Sequence, residues 1–273
     1  MKYYERLSER CKQLGQTEFI GKTTAGYDIP FVDAGSDTLI VGSTHAREHI
    51  TTELIFGIFD GTYPIDVVPC LNIDGVILCR EGLSALPISA EKKEFLRKIN
   101  GSNDFSLWKA NANAVDINVN FDAEWGTGKS NVKYPSSANF IGTKPESESE
   151  TKAICDLIRR KKYSQVISYH SKGEVIYWGF GKNKYHYSMA KKYADILGYP
   201  LTTSYGSAGG LKDWFDMNSD GLGLTVEVGN DKFSHPYPES ELPNLISLHK
   251  RSVKTIYENG LAVAKKIHAG SSS

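Results

Sequence analysis

Short apolar runs alternate with helical patterns along almost the whole chain, and this alternation restricts the fold more than any other feature. Continuous apolar runs predict buried strands at 37–44, 65–72, 164–170 and 222–229. Amphipathic segments between them predict helices, the segment Ile73–Asp74–Gly75 predicts a turn, and a long helical pattern over 240–267 closes the chain. Such a chain is expected to form an α/β fold, with a mixed, mostly parallel twisted sheet and helices on both faces.

Length and charge limit the number of domains and the kinds of partner. The 273 residues fit one large α/β domain, which we expect at 1–268, followed by a disordered tail at 269–273. Lys and Arg number 32, as do Asp and Glu, so the net charge is zero. This balance argues against nucleic acid or a membrane surface as a partner, and leaves the oligomeric state open. The N-terminal segment 1–16 has no signal-peptide pattern, so we expect a cytoplasmic location.

Three predicted strand ends carry side chains that suit a metal ion. His45 and Glu48 lie where one buried strand gives way to a helix, and His170 ends another strand. Glu227 lies inside an apolar strand, where a carboxylate is costly unless it is paired or near a cation. Two imidazoles and a carboxylate are good zinc ligands, and three protein ligands with one open position are typical of catalytic zinc. Taken singly, each residue also fits a structural role in a hydrogen bond or a buried ion pair.

Six segments, in order along the chain, carry a family resemblance: HAREHIT, VVPCLNIDG, VDINVNFDAEWG, SYHSKG, YGSAGGLKDW and TVEVG. They resemble motifs of the zinc carboxypeptidases of the carboxypeptidase A type, and the match extends over most of the chain. The resemblance implies a single domain of that fold. It also implies a zinc metallopeptidase that hydrolyses an amide bond near the C-terminal end of a short peptide.

The resemblance assigns the chemical roles at the centre of the site. His45, Glu48 and His170 match the zinc ligands, and Glu227 matches the general base that takes a proton from the attacking water. Lys109 stands where the family has an arginine that stabilises the oxyanion. A lysine supplies the charge there but not the two parallel hydrogen bonds of a guanidinium group.

Substrate binding is assigned in the same way. Arg47 matches an arginine of the cleft, Asn118 an asparagine that holds the substrate carboxylate, and Tyr205 a tyrosine that closes over bound substrate. We also expect Asp116 and Asp122 to order the side chains around the metal.

One position departs from the family pattern. Val119 stands where the family usually has the arginine that binds a C-terminal carboxylate, and valine forms no charge-assisted hydrogen bond. Another cation could take this role, and the candidates are Lys129, Lys133 and Lys172, although each also fits a solvated surface. The compact chain is similar to family members that cleave γ-D-glutamyl–diaminopimelate bonds in cell-wall peptides. The expected substrate is therefore a short peptide, such as a muropeptide.

Four other interpretations remain open at this point. HAREH also fits an inverted zinc-peptidase motif, in which His45 and His49 bind zinc and Glu48 is the base. The chain could instead be a zinc-dependent deacylase of small N-acyl amino acids, or a general carboxypeptidase with altered carboxylate recognition. A non-catalytic binding module predicts the loss of a ligand or of the base, yet all four residues are present.

Overall fold

The computed structural model describes residues 2–181, 185–203 and 206–270. Within these residues, eight strands form one sheet: Thr17–Lys22 (β1), Asp28–Val32 (β2), Thr38–Val41 (β3), Asp66–Val68 (β4), Gln165–Ser171 (β5), Val175–Trp178 (β6), Leu201–Thr202 (β7) and Leu222–Val228 (β8). The α-helices are Tyr3–Leu14 (α1), Ile50–Ile58 (α2), Ile73–Glu81 (α3), Ala90–Asn100 (α4), Ser149–Lys161 (α5), Tyr187–Leu197 (α6), Leu211–Asn218 (α7), Leu242–Lys250 (α8) and Val253–Gly270 (α9). None of these helices is long and apolar enough to cross a membrane.

The sheet is mixed, with its parallel strands in the middle. The strand order is β1-β2-β4-β3-β5-β8-β6-β7, and four of the seven neighbouring pairs are parallel. The four central strands β4, β3, β5 and β8 run in one direction, so their carboxyl ends share one edge, where sites form in α/β sheets. The predicted single domain with a mixed, mostly parallel sheet is confirmed, whereas its boundaries at 268 and 269 stay a prediction.

Helices cover both faces of this sheet, as the sequence predicts. Side chains of β5 alternate between the faces, so Gln165 and Val166 point in opposite directions. On the first face, Gln165 Nε2 donates to the carbonyl of Ile256 in α9 over 3.0 Å. On the second face, a side chain at Gly223, the β8 neighbour of Val166, would collide with Asp216 of α7. The buried strand β5 therefore lies between α9 and α7 in the hydrophobic core.

The segment after β4 is a helix, where the sequence predicts a turn at Ile73–Asp74–Gly75. Asn72 begins α3 by accepting a hydrogen bond from the N–H of Gly75 at 3.0 Å. The prediction of a turn is wrong because α3 is buried on several sides, so it lacks the amphipathic pattern that marks a surface helix. The Asn72 amide also donates to the carbonyls of Thr44 and Ala110, at 3.2 and 3.1 Å.

The predicted closing helix over 240–267 is two helices, and the single-helix prediction is wrong. The chain turns at Arg251 and Ser252, between α8 and α9. Both the N–H and the hydroxyl of Ser252 donate to the carbonyl of His249, at 3.0 and 2.7 Å. Because this local turn keeps the apolar spacing nearly in phase, periodicity alone did not separate the two helices.

The long segment between α4 and α5 has little regular structure, yet buried polar side chains hold it in place. Asn120 Nδ2 donates to the carbonyls of Ile141 and Lys144, while its Oδ1 accepts from the N–H of Glu148 and the hydroxyl of Thr151. Such side-chain bonds replace the backbone ladder of a helix or sheet. They fix the segment against α5, on the side where the parallel strands end.

We expect Asn72→Ala to lower the free energy of unfolding by about 2–4 kcal/mol. The change removes the N-cap of α3 and leaves the buried carbonyls of Thr44 and Ala110 without this donor. Urea denaturation measures the loss. The control is Asn103→Ala, which removes an exposed asparagine that bonds only Arg97 among the described contacts and should change stability by less than about 0.5 kcal/mol. Equal losses in the two variants would contradict this account.

A carboxyl group at the start of α5 is fully buried. Glu150 Oε2 accepts from the Asn111 amide at 3.3 Å and the Ser149 hydroxyl at 3.1 Å, while Oε1 has no hydrogen-bond partner in the described residues. Burial, and then the nearby Asp74 carboxylate, raise the pKa of Glu150 to about 8. Glu150 therefore holds its proton in the folded protein at neutral pH.

This raised pKa predicts how stability changes with pH. The folded chain binds the Glu150 proton more tightly than the unfolded chain, so protonation of Glu150 stabilises the fold. This stabilisation is complete below about pH 4.5 and is lost as the pH rises through about 8. The Glu150→Gln variant cannot ionise at this position. We therefore expect its free energy of unfolding, relative to that of the wild type, to be roughly 2–4 kcal/mol higher at about pH 9 than at about pH 5. Urea denaturation of both proteins at the two pH values measures the gain. A difference that stays constant with pH would show that Glu150 is not the group responsible.

Candidate metal centre and substrate cavity

Three predicted metal ligands lie together at the carboxyl edge of the parallel strands. His45 follows β3 in an extended conformation, Glu48 ends the short 3-10 helix Ala46–Glu48, and His170 lies near the end of β5. Because β3 and β5 are parallel neighbours, their ends meet although 125 residues separate the two histidines. One donor atom from each of the three residues lies within 4.8 Å of the other two.

The carboxylate of Glu48 lies between the two imidazole rings. Its Oε1 is 2.8 Å from His45 Nδ1, and its Oε2 is 3.0 Å from His170 Nδ1. The two Nδ1 atoms are 3.1 Å apart, and the backbone N–H of Ser171 donates to Glu48 Oε2 at 3.2 Å. All three ligand candidates are at most 5% exposed. Donor atoms gathered this closely out of water fit a cation between them.

The Nε2 nitrogen of each imidazole ring also lies next to a polar side chain. Asp116 Oδ1 lies 3.2 Å from His45 Nε2, and the hydroxyl of Ser168 lies 3.0 Å from His170 Nε2. Partners of this kind fix the orientation and the tautomer of a metal-binding histidine, so that the other nitrogen is free to bind. The expected role of Asp116 agrees with this geometry. Asp122 is exposed and makes no described contact with the ligand candidates.

The charges of the three groups depend on one another. Burial by itself would raise the pKa of Glu48, but the charge of His45 and a hydrogen bond from His170 hold it well below the usual value. For His45, burial is the largest effect and lowers the pKa, but the carboxylates of Glu48 and Asp116 together outweigh it, so that the pKa is raised. Glu48 is therefore ionised, as a ligand for a divalent cation must be.

Glu227 lies beside this cluster on β8. It is the register partner of His170, so the two side chains lie on the same face of the sheet. The Oε2 atom of Glu227 is buried and has no hydrogen-bond partner in the described residues. Burial, followed by the negative charge of Glu48, raises the pKa of Glu227 to about 7. An unpaired carboxylate of this kind is suited to proton transfer, and a nearby dication would lower its pKa.

Lys109 is held close to the cluster by two neighbouring side chains. Its Nζ lies 2.7 Å from Asp116 Oδ2 and donates to Asn139 Oδ1 at 3.2 Å. Burial would raise the pKa of Asp116, but the charges of Lys109 and His45 hold it far below the usual range. Asp116 therefore contacts both a ligand candidate and the predicted oxyanion-stabilising lysine.

A cavity of about 300 Å³ opens from this centre. Four predicted site residues line it, namely His45, Lys109, Asn118 and Glu227. Six lining residues were not predicted: Tyr177, Ser207, Gly210, Lys212, Asp213 and Thr225. Asn118 reaches the cavity from a 3-10 helix and accepts the N–H of Leu211 at 3.2 Å.

Two other predicted substrate-binding residues are not part of the described cavity wall. Arg47 is half-buried between His45 and Glu48 in the 3-10 helix, and its charge helps to lower the pKa of His235. Tyr205 lies outside the described residues.

The lysines proposed to replace the missing arginine are also absent from the described cavity wall. Lys172 pairs with Asp231 at 2.8 Å instead. The backbone N–H of Lys129 donates to the carbonyl of Gly206, and Lys133 is exposed. Among the described lining residues, the two cations are Lys109 and Lys212. No sequence pattern marked Lys212 as a site residue, because a lysine on a helix usually faces solvent.

The inverted motif does not fit the geometry. His49 Nδ1 accepts a hydrogen bond from the Arg80 guanidinium at 2.8 Å, and Arg80 also pairs with Glu239. The group of possible metal ligands found among the described residues contains His170 in place of His49. The ring of His49 therefore joins α2 to α3.

An α/β sheet that gathers two imidazoles and a carboxylate beside a second carboxylate, one oxygen of which is buried without a partner in the described residues, has the arrangement of a metal-dependent hydrolase. A model of the zinc carboxypeptidase family (peptidase M14) matches residues 61–251, and the chain belongs to this family. The family is one of metallopeptidases of the carboxypeptidase type, and zinc is its cofactor.

Two characterised bacterial proteins are similar in sequence. The chain is 30% identical over 271 residues to gamma-D-glutamyl-L-diamino acid endopeptidase 1 of Lysinibacillus sphaericus, with 89% of this chain and 65% of that protein covered. The chain therefore spans less than two thirds of the length of that endopeptidase. It is 34% identical over 256 residues to murein peptide amidase A of Escherichia coli, covering 86% of this chain and 91% of that protein.

The fold has close counterparts among solved structures. Bovine thrombin-activatable fibrinolysis inhibitor, in complex with tick carboxypeptidase inhibitor, superimposes with a TM-score of 0.73 at 20% identity. The match covers 97% of this chain and 95% of that one. At this identity the likeness shows that the two chains share a fold.

Two histidine variants separate the possible ligand sets. We expect purified wild type and His49→Ala to carry about one zinc per chain, and His170→Ala to lose it, since three protein ligands are needed to hold the ion. Elemental analysis by mass spectrometry after dialysis measures zinc, and circular dichroism verifies folding. Loss of zinc from His49→Ala with retention in His170→Ala would support the inverted motif.

Proposed function

We propose that this chain is a zinc peptidase that hydrolyses the γ-D-glutamyl–diaminopimelate amide of short cell-wall peptides. In this proposal His45, Glu48 and His170 bind zinc, and Glu227 is the general base. One observation carries it: a buried donor cluster lies beside a buried carboxylate oxygen that has no partner in the described residues. The predicted cytoplasmic location stays a prediction.

The donor set supports zinc. Two imidazole nitrogens and one carboxylate are the ligands of several catalytic zinc sites, and a fourth position is then open to water or substrate. Zinc supplies Lewis acidity when bound: it polarises a carbonyl group and makes a water molecule acidic enough to attack near neutral pH. The neighbours of His45 and His170 hold the rings in place for this purpose.

The residues of the chain supply the proton transfer and the charge stabilisation. Glu227 accepts a proton from the attacking water and delivers it to the nitrogen of the leaving amine. The ammonium group of Lys109, fixed by Asp116 and Asn139, stabilises the negative charge that develops on the carbonyl oxygen. Asn118 binds the substrate in this proposal, which its position in the wall of the same cavity supports.

The names of the relatives support the choice of substrate. One acts on gamma-D-glutamyl-L-diamino acids and the other is named for murein peptides. Val119, where the family pattern has an arginine, makes recognition of an ordinary C-terminal carboxylate at that position unfavourable.

An assay of amine release tests the substrate. We expect the zinc-loaded protein to cleave L-Ala-γ-D-Glu-meso-diaminopimelate, and to cleave a simple peptide with a free C-terminal phenylalanine and an N-acyl amino acid far more slowly. Preference for the simple peptide would make the protein a general carboxypeptidase. Preference for the N-acyl amino acid would make it a deacylase.

We expect Glu227→Gln to lower kcat by about 10²–10⁴-fold while zinc content is unchanged, because the amide cannot accept the proton. The rate on the preferred peptide and the zinc content are measured on the same sample. The matched control is Glu94→Gln, an exposed residue of α4, which should keep the wild-type rate. A Glu227→Gln variant with near-normal turnover would remove Glu227 as the base.

A further inference from the structure

A buried group of acidic side chains holds the loop that carries Lys109 and Asp116. The backbone of residues 109–116 turns back on itself, and the N–H of Asn111 donates to the carbonyl of Val115 at 2.9 Å. Lys109 and Asp116 stand at the two ends of this turn, where their side chains form an ion pair at 2.7 Å. Both side chains lie beside the candidate metal centre. We call residues 109–116 the Lys109 loop.

Two glutamates at the start of α5 hold the middle of this loop. Asn111 Nδ2 donates to Glu148 Oε2 at 2.7 Å and to Glu150 Oε2 at 3.3 Å. Asn113 Nδ2 also donates to Glu148 Oε2, at 2.8 Å. Asn111 and Glu150 are fully buried, and Glu148 is nearly so. The Lys109 loop is therefore fixed at its ends beside the metal centre and at its middle against α5.

The charges around Glu150 come from three neighbouring helices. Burial, and then Asp74 of α3, raise the pKa of Glu150 to about 8, and Glu148 adds to the effect. Asp74 is itself buried, and its Oδ1 has no hydrogen-bond partner in the described residues. A cation, Lys92 of α4, donates to Asn113 at 2.7 Å and lies close enough to Glu148 for their charges to interact. An ionised Glu150 would thus be a buried carboxylate near two others, which is unfavourable.

The neutral form of Glu150 fits the observed contacts. Its Oε2 accepts from Asn111 and from the Ser149 hydroxyl, so the proton belongs on Oε1, which has no described partner. Loss of this proton to solvent adds a charge next to Glu148. The two carboxylates separate only if the start of α5 rearranges, and Asn111, which is bonded to both, then moves with it.

We propose that the neutral carboxyl group of Glu150 positions Lys109 for catalysis through Asn111. When Glu150 loses its proton, the start of α5 and the Lys109 loop shift, and the Lys109 ammonium no longer faces the carbonyl oxygen of the substrate. This inference rests on the proposed function. It makes Glu150 and Asn111 positioning residues that do not touch the substrate.

The pH dependence of kcat on L-Ala-γ-D-Glu-meso-diaminopimelate tests this role. We expect the wild-type kcat to fall about 10- to 100-fold as the pH rises from about 7 to about 9.5, with little change in KM, because a group that stabilises the transition state is displaced. Glutamine has one acceptor and one donor, as a neutral carboxyl group has. The kcat of Glu150→Gln should therefore equal that of the wild type at pH 7 and fall less than about 3-fold by pH 9.5. Zinc content and circular dichroism, measured at each pH, limit the comparison to folded, zinc-loaded protein.

Two further variants give results that a purely structural role would not. Asp74→Asn removes a negative charge near Glu150, so the fall in kcat should move to lower pH, and this variant serves as the second test if Glu150→Gln does not fold. Asn111→Ala removes the link to the loop, so adding Glu150→Gln to it should no longer raise kcat at pH 9.5. The matched control is Glu94→Gln, an exposed residue of α4, which should follow the wild-type profile.

The outcomes separate this inference from the proposed function. A parallel fall of kcat in the wild type and Glu150→Gln, or a wild-type kcat that stays constant up to pH 9.5, would overturn the inference and leave the proposed function intact. A fall that follows loss of zinc or of folding would also overturn the inference alone. No cleavage by the zinc-loaded wild type at any pH would overturn both.

Discussion

The carboxylate of Glu48 is the group on which the rest of the site depends. It is buried between two imidazole rings that come from parts of the chain far apart in sequence, and the N–H of Ser171 completes its contacts. A buried carboxylate is tolerated only with such compensation. Glu48 therefore couples the end of β3 to the end of β5, and the same coupling assembles the donor atoms for a cation.

The irregular segment between α4 and α5 provides Asp116 and Lys109, which lie next to the candidate metal ligands. Its buried side chains replace regular secondary structure: Asn120 bonds the segment to itself and to α5. Asp116 then reaches both His45 and Lys109. Because the Asp116 carboxylate contacts both His45 and Lys109, it positions a candidate metal ligand and the predicted oxyanion-stabilising group at the same time. A segment with little regular secondary structure can be fixed in this way.

The cavity shows how a family pattern changes while the fold is kept. In the family pattern an arginine stands at the position of Val119. In this chain the described cavity wall has Lys109 as one cation and Lys212, on α7, as the other. The relatives share the catalytic class, so the fold by itself does not decide the substrate. Recognition depends on which charged side chains reach the cavity, and on its described wall these include Lys212 and Asp213 of α7.

The sequence by itself determined the sheet, most helices, and the metal and base candidates, because buried strands and strand-end histidines leave local patterns. It missed α3, whose buried sides lack periodicity, and it merged α8 with α9. Only the tertiary structure showed that Lys212 is buried in the cavity and that His49 bonds Arg80. Burial and pairing of a charged side chain depend on residues distant in sequence, and no local pattern records them.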